Sequence, residues 1–487
     1  MKKLLALLLA LVMVLSLAAC GSKADDTAKD EPAANTEANK TEEKTEEKTE
    51  EKTEEPADTS AEGDVEVVKF FCSVGAYLAT LQDEISKWNE GAGKDAGVYI
   101  ELQSEINDNS TVFEGLMQSG NYVDIADGFG SNAAAYDLNG WIKDLNEIDN
   151  DDLKALIESY KDYMLPGLSY INGKTVSLPL EVVPIKLAVN TDLFEKFDLE
   201  LPKTWADVVE AAKVITEGSN GEAYGWGGTT WTAYYRRLIM KGSMSSTEVG
   251  WWDPNTETYS FSQYEIPVKA VREMYQNDYI LGMDDLGIDE VRAQFAAGKV
   301  AMFPAPAYDV SVYTQQFPAE CNWAIIDMPT YEEGEAPYKG VYLDRVGSYI
   351  IAPAYDNATP EHQKAIEAAY LFLNSDELAS VIYANGGMIP YKQEIIENTE
   401  VLVDVPQWAD MADITNYTSV FLRPDSIIPL EGDTYETVFS SIVHGDLEWD
   451  EETISDLEQR SNDAYAIAKA DPDINTDDYA YAYDHSK

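Results

Sequence analysis

The sequence has few of the residues on which metal, redox and nucleic-acid chemistry depend. Its 487 residues include three cysteines and three histidines, and 34 basic residues stand against 89 acidic ones. The histidines, His362, His444 and His485, share no metal-ligand spacing, so we expect no metal site. The net charge of −55 argues against nucleic acid as a partner and disfavours an anionic ligand.

Long apolar runs are also scarce, and the longest is at the amino terminus. The run from Leu4 to Leu15 is too short for a permanent membrane helix. It follows two lysines and precedes Leu17-Ala-Ala-Cys20, which predicts a lipoprotein signal peptide over residues 1–19 and lipid on the sulfur of Cys20. A plain signal peptide is the alternative. We expect a protein held by lipid at the extracellular face of the cytoplasmic membrane.

Residues 20–64 lack aromatic side chains and repeat Thr-Glu-Glu-Lys from Thr41 onward. Such a segment cannot bury a core, so we expect an acidic disordered spacer. The remaining body, Val65 to Lys487, still carries a net charge of −47. Its two cysteines, Cys72 and Cys321, stand in apolar contexts, which favours free thiols over a disulfide.

Two glycine-rich stretches resemble nucleotide-binding motifs but fail their spacing or context. Gly167 to Thr175 has five residues between its glycines where the phosphate loop has four. Gly128 to Ala133 matches a relaxed dinucleotide pattern, but it follows a third predicted strand rather than the first. We therefore expect no cofactor.

The body begins with alternating strand and helix signals. Residues 65–73 and 98–105 read as strands, residues 76–90 as an amphipathic helix, and a further helix from Phe113 leads to a short strand ending at Asp127. This order predicts an α/β fold with a parallel sheet, whose ligands gather at the carboxyl ends of the strands.

A central segment runs from Leu178 to Thr216. Its first half is apolar and β-branched, which predicts a strand, and Asn190 is expected to open a short helix that ends near Phe197. Thr204 is the predicted N-cap of a second helix, with Asp207 at the capping-box position.

This segment resembles the first crossing between lobes in bacterial extracellular solute-binding proteins of the sugar-binding type, which serve ABC importers. The stretch from Phe295 to Tyr308, Phe-Ala-Ala-Gly-Lys-Val-Ala-Met-Phe-Pro-Ala-Pro-Ala-Tyr, resembles the family's helix-turn-strand. The resemblance implies a two-lobe periplasmic-binding-protein-like fold of type II, with mostly parallel sheets flanked by helices and a ligand cleft between the lobes. It implies an amino lobe of residues 65–181 and about 347–400, and a carboxyl lobe of about 186–341 and 401–487.

The same resemblance suggests where the ligand binds. Loops around Tyr77 and from Asp127 to Phe129 would line one wall, and the aromatic residue of the loop at Tyr308 often stacks on sugar in this family. Carbohydrate recognition uses flat rings and planar polar groups. The hypothetical stacking residues are Tyr308, Trp226, Trp231 and Trp252, and the hypothetical polar clamps are Asp127, Glu181 and Arg345. Core packing is the alternative for each tryptophan.

The sequence is compatible with three functions. A monomeric binder of a mono- or oligosaccharide that delivers its ligand to membrane permease subunits is the leading prediction. A binder of another solute, such as a peptide or a polyamine, is the second. A secreted carbohydrate-active enzyme is the third, because counting 89 carboxylates cannot exclude a catalytic pair.

Overall fold

The computed structural model describes parts of the chain within the compact unit from Glu62 to Lys487. The described residues are 65–73, 75, 77–104, 109–120, 122–127, 133–164, 168–231, 233–247, 250–332, 340–344, 349–414, 417–419, 423–472 and 474–482. The predicted signal peptide, Cys20 and the acidic spacer lie outside them, as do Phe129 and Arg345.

The described elements alternate between strands and helices, as an α/β fold requires. The strands are β1 Glu66–Cys72, β2 Val98–Ser104, β3 Ile125–Asp127, β4 Tyr170–Ile171, β5 Lys174–Thr175, β6 Glu181–Asn190, β7 Tyr224–Gly227, β8 Trp252–Asp253, β9 Thr258–Tyr259, β10 Ile280–Leu281, β11 Val300–Pro306, β12 Trp323–Ile326, β13 Gly340–Asp344, β14 Tyr349–Ile351, β15 Ile389–Pro390 and β16 Tyr417–Ser419.

The α-helices are α1 Leu78–Glu90, α2 Ala92–Ala96, α3 Asn109–Ser119, α4 Ala133–Leu138, α5 Asp151–Tyr160, α6 Thr191–Lys196, α7 Trp205–Ser219, α8 Glu265–Gln276, α9 Ile288–Ala296, α10 Asp309–Ser311, α11 Pro360–Leu373, α12 Asp376–Ala384, α13 Gln393–Asn398, α14 Pro406–Ala412, α15 Tyr435–His444 and α16 Glu451–Ala470. Two segments, Tyr234–Met240 and Val312–Gln316, are π-helical. Short 3₁₀ turns occupy Leu145–Glu147, Lys161–Tyr163, Gly242–Ser246, Ser262–Tyr264, Pro353–Asn357, Pro424–Ser426 and Asp477–Tyr479.

One lobe, which we call the amino lobe, is built on a sheet of order β14-β3-β1-β2. Strands β1, β2 and β3 are parallel, as the alternation of strands and helices predicts, whereas β14 is antiparallel to β3. Successive side chains of β1 point to opposite faces. Val68 and Phe70 pack into one apolar cluster and Phe71 into another, so apolar residues cover both faces of this sheet.

The second lobe, the carboxyl lobe, is built on an eight-stranded sheet of order β10-β7-β11-β6-β13-β16, with β12 and β15 also paired to β6. We expected a mostly parallel sheet, and this one is mixed. The reason is β6, which runs antiparallel to each of its four partners among the described strands. All ten residues of β6 are buried.

Local capping signals are confirmed around this strand. Asn190 accepts a hydrogen bond from the backbone N–H of Leu193 at the start of α6. Thr204 and Asp207 form a reciprocal capping box at the start of α7. These polar side chains satisfy backbone N–H groups that the first turn of a helix leaves without partners.

Cys72 and Cys321 are both free of disulfide bonds, as the sequence favours. Cys72 is buried in the amino lobe, and Cys321 is partly exposed. Within the described ranges, none of the helices combines the length and apolar character needed to cross a membrane.

His362, in the first turn of α11, joins two acidic side chains of the amino lobe. Its ring nitrogens lie 2.9 Å from an oxygen of Glu66 and 3.2 Å from an oxygen of Asp124. Burial opposes protonation, but hydrogen bonds and charges from both carboxylates outweigh it and raise the pKa of His362. A histidine whose folded-state pKa is raised stabilises the fold at low pH, and this contribution disappears as the pH rises through that pKa.

We therefore predict that the His362→Gln variant is less stable than the wild type only under mildly acidic conditions. At pH 5.5, below the ordinary histidine pKa of about 6.5, the variant should lose about 1 kcal/mol or less. At about pH 9 the two proteins should unfold alike. Urea denaturation of the full chain at both pH values measures the difference, and an equal loss at both would contradict the prediction.

Candidate functional site

Asp127 ends strand β3, and its two carboxylate oxygens differ in their hydrogen bonding. Its Oδ2 accepts hydrogen bonds from the backbone N–H and the hydroxyl of Ser73, the former at 2.7 Å. Its Oδ1 is buried and has no hydrogen-bond partner among the described residues. Burial raises the pKa of Asp127 to about 6, while the two bonds from Ser73 act in the opposite direction.

Glu181, the first residue of β6, lies close to Asp127. Its side chain is 4% exposed. Among the described residues it has neither a hydrogen-bond partner nor a basic partner. Burial, followed by the charge of Asp127, raises the pKa of Glu181 well above its ordinary value. A buried carboxyl group without a partner costs free energy, so these two acids are poised to accept donors from a ligand.

Two tyrosines complete this wall of the amino lobe. Tyr349 begins β14 directly opposite Asp127, and Tyr77 immediately precedes α1. Both hydroxyl groups are buried, and neither forms a hydrogen bond of good geometry within the described part of the chain. Burial raises the pKa of Tyr77, and the neighbouring Tyr349 and Glu181 raise it further.

Tyr308 is brought to Glu181 by the register of the carboxyl-lobe sheet. Strand β11 pairs Pro306 with Ile185 of the antiparallel β6, so the chain beyond Pro306 continues towards Glu181. Burial raises the pKa of Tyr308; the charges of Arg292 and Arg237 oppose this shift, and that of Glu181 supports it. The hydroxyl of Tyr308 is therefore close enough to two arginines and to Glu181 for their charges to act on it.

The carboxyl-lobe wall around Tyr308 is rich in arginine. The guanidinium of Arg292 lies 5.6 Å from the centre of the Tyr308 ring and 2.6 Å from Asp309, a fully buried carboxylate. Arg237 lies 5.4 Å from the centre of the Trp231 ring. Burial lowers the pKa of Arg237, and the nearby Tyr308 opposes that shift. Cation–π contacts of this kind hold both guanidinium groups in place.

We call this group of side chains the interlobe site. It comprises Tyr77, Asp127, Glu181 and Tyr349 from one wall and Trp231, Arg237, Arg292 and Tyr308 from the other. The structure thus brings together five residues that the sequence singled out: Tyr77, Asp127, Glu181, Trp231 and Tyr308. Phe129 and Arg345 lie outside the described residues.

The structure corrects the expectation for two tryptophans. Trp226 is fully buried in the carboxyl-lobe core, donates to the hydroxyl of Tyr234 at 2.8 Å and packs against Trp205. Trp252 is equally buried and donates to the carbonyl of Tyr479 at 3.0 Å. Because each ring is enclosed and each indole N–H is bonded, neither offers a stacking face to a ligand.

Sequence reasoning missed Tyr349, Arg237 and Arg292. Tyr349 lies within Val341 to Pro353, a stretch that resembles the family's return crossing between the lobes, so its position could have been inferred from that resemblance. The two arginines had no such signal, because Arg292 belongs to a helix and Arg237 to a π-helical turn, and their importance depends on contacts with Tyr308. π-Helical turns often occur at functional sites.

A surface crevice of about 480 Å³ lies elsewhere, against α14, and shares no lining residue with the interlobe site. Within the described parts of the chain, histidine, cysteine and acidic side chains form no group that could hold a metal ion.

Comparison with known proteins identifies the family. The family described as bacterial extracellular solute-binding protein matches residues 76–376, which is more than half of the chain. The chain belongs to this family. Its members are binding proteins rather than enzymes, and they act outside the cell.

Solved structures of other solute-binding proteins share the fold at low sequence identity. The GacH receptor of Streptomyces glaucescens, solved unliganded and with acarbose, is 17% identical, with 84% of this chain and 100% of that chain covered and a TM-score of 0.62. A protein from Thermotoga lettingae bound with α-D-tagatose is 18% identical, with 82% and 100% covered and a TM-score of 0.63.

The maltose/maltodextrin-binding domain MalE of Bdellovibrio bacteriovorus, bound to maltotriose, is 14% identical, with 83% and 100% covered and a TM-score of 0.61. These likenesses confirm the two-lobe type II fold for this solute-binding protein.

The buried carboxyl group of Glu181 should affect the stability of the protein in a way that depends on pH. An acid whose pKa is raised in the folded state destabilises the fold as the pH rises from its unfolded pKa to its folded pKa. We predict that Glu181→Gln makes the ligand-free protein more stable at pH 8, with a smaller gain at pH 5, because each unit of pKa shift corresponds to about 1.4 kcal/mol.

Thermal melting of the full chain at both pH values measures this gain. Glu210→Gln, on the exposed side of α7, is a control that should melt close to the wild type at both pH values. A Glu181→Gln protein that is less stable than the wild type at pH 8 would contradict the prediction.

Proposed function

We propose that this protein is the substrate-binding lipoprotein of an ABC importer and captures an extracellular mono- or oligosaccharide. The observation that carries the proposal is the interlobe site, where Asp127, Glu181 and two tyrosine hydroxyls form one wall, and Tyr308, Trp231 and two arginines form the other. Rings of this kind stack on the C–H face of a sugar, and planar polar groups exchange hydrogen bonds with its hydroxyls.

The solved relatives support the ligand class, because they were crystallised with acarbose, α-D-tagatose and maltotriose. On this proposal the amino lobe comprises residues 65–181 and about 347–400, and the carboxyl lobe about 186–341 and 401–487. The lobes close about β6 and β13 when the ligand binds, and the closed form delivers the sugar to permease subunits. Closure requires that the ligand bind the closed form more tightly than the open one.

A polyamine or peptide is a second candidate ligand, favoured by one observation. Asp127 and Glu181 are buried acids for which the described residues supply no basic partner. A cationic group could satisfy them as well as sugar hydroxyls could. A thermal-shift screen of the full chain in detergent against neutral and acidic sugars, polyamines and short peptides separates these ligand classes. A ligand at a hundred times its Kd adds about 2.7 kcal/mol of stability.

Tyr308 provides the sharpest test of the site. We predict that Tyr308→Ala weakens sugar binding at least about tenfold, because it removes a stacking ring worth about 1 kcal/mol beyond its buried area. Tyr308→Phe should retain most of the affinity, since it keeps the ring. Isothermal titration calorimetry with the sugar found in the screen measures both variants.

Tyr99→Ala is the matched control, because Tyr99 is an exposed tyrosine of β2 in the amino-lobe sheet. It should bind like the wild type. Unchanged affinity in Tyr308→Ala would remove Tyr308 from the site.

The lipid anchor gives a further prediction. Cys20→Ala should prevent lipid attachment, because the thiol that accepts the lipid is gone, and the protein should no longer incorporate a labelled fatty acid. Labelling of cells that produce each form, followed by membrane fractionation, measures this. Cys321→Ala is the matched control and should label like the wild type; label that persists in Cys20→Ala would contradict the prediction.

A further inference from the structure

Arg237 differs from the other described arginines in having no acidic partner. Carboxylates lie beside Arg236, Arg272, Arg292, Arg423 and Arg460, at N–O distances between 2.6 and 3.2 Å. Arg237 contacts the ring of Trp231 and lies near Tyr308, and no described carboxylate pairs with it. Within the described parts of the chain, its guanidinium group is therefore a cation of the interlobe site without an acidic counter-charge.

The surroundings of Arg237 increase the free-energy cost of this arrangement. The side chain is partly buried, and the charges of Arg236 and Arg423 act on it with the same sign. A buried charge without a partner destabilises a protein, whereas a carboxylate–guanidinium pair forms short, bidentate hydrogen bonds. The hydroxyl of Tyr308 bonds to Arg237 but is neutral, so a ligand that brings a carboxylate to this point would supply the missing negative charge.

We propose that Arg237 recognises a carboxylate of the ligand, and that the transported carbohydrate is an acidic sugar that contains a uronic acid unit. This inference rests on the proposed function as a sugar-binding protein. The carboxylate lies against Arg237 at the Trp231 and Tyr308 wall, and hydroxyl groups of the same ligand donate to Asp127 and Glu181 on the opposite wall. The ligand thus has a positive charge of the protein on one side and two acidic side chains on the other.

The net charge of the protein does not prevent such binding. The general field of an acidic protein slows the approach of anions, but contacts within a water-poor site decide which ligand stays bound. Two of the other six arginines in the sequence, Arg236 and Arg423, lie close enough to Arg237 for their positive charges to act on it.

The test compares acidic sugars with their neutral counterparts on the full chain in detergent. The probes are galacturonate, glucuronate and trigalacturonate against galactose, glucose and the methyl ester of trigalacturonate, measured by calorimetry at low and moderate salt. We expect at least one acidic probe to bind about tenfold or more tightly than its neutral counterpart. We expect this preference to decrease with salt.

Variants of Arg237 separate recognition from a structural role. Arg237→Met should lower the affinity for the acidic probe about 30-fold or more, because it removes one member of a desolvated charge pair. It should also leave the melting temperature of the ligand-free protein unchanged or higher, since an unpartnered charge is lost. Arg237→Lys, which keeps the charge, should bind the acidic probe with intermediate affinity.

Arg460→Met is the matched control, because Arg460 pairs with Asp456 on α16 outside the interlobe site. It should not alter the affinity for either probe. Neutral sugars that bind while every acidic probe fails would overturn the acidic-sugar inference and leave the proposed function intact. A polyamine or peptide that binds while all sugars fail would overturn both. An Arg237→Met protein that melts at a lower temperature but keeps its preference for the acidic probe would assign Arg237 a structural role and overturn the inference.

Discussion

The burial of strand β6 is the constraint on which both lobes depend. All ten of its residues are buried, so its polar side chains must find partners inside the protein. Asn190 caps α6, and Lys186 donates to the backbone carbonyls of Asp410 and Asp413 at 2.7 and 3.1 Å. Glu181 is the exception among the described contacts of this strand. The polar side chains of β6 therefore have hydrogen-bond partners along the strand, and Glu181, which lies at the interlobe site, has none among the described residues.

Two arginines of the carboxyl lobe, Arg292 and Arg237, differ in the same way: one has acidic partners, and the other has none among the described residues. Arg292 is held by Asp309 and Asp289, at 2.6 and 3.0 Å, and in turn lies against the ring of Tyr308. This ion pair can therefore position the ring without ligand. Among the residues that the structure describes, Arg237 has no such ion pair. Its contact with the ring of Trp231 orients the guanidinium group but does not neutralise its charge. Unpartnered groups at a site lower stability in the free protein, and a ligand that satisfies them regains that free energy.

The features that could be predicted from the sequence are those that depend on residues close together in the chain. The caps at Asn190 and Thr204, and the parallel order of β1 to β3, follow from side chains within a few residues or from a repeating pattern. The roles of the tryptophans could not be predicted in this way. Trp226 was expected to stack on a ligand, yet it follows Gly225 in β7, where an added Cβ would come within 2.1 Å of the backbone of Ala212. Close packing of a strand on a helix requires that glycine.

The interlobe site was only partly predictable, because its chemistry depends on pairs that are distant in the sequence. Every arginine and acid is visible in the sequence, but the sequence does not say which arginine lacks a partner. Asp309 neutralises Arg292 from seventeen residues away, whereas Glu436 neutralises Arg236 from a separate helix. The net charge of the protein suggested a neutral or cationic ligand. A net charge is a sum over the whole chain, so it does not show which charges are already neutralised in ion pairs. The sign of the ligand is instead set by the few charges that remain after the pairs have formed, and at this site they are acids on one wall and Arg237 on the other.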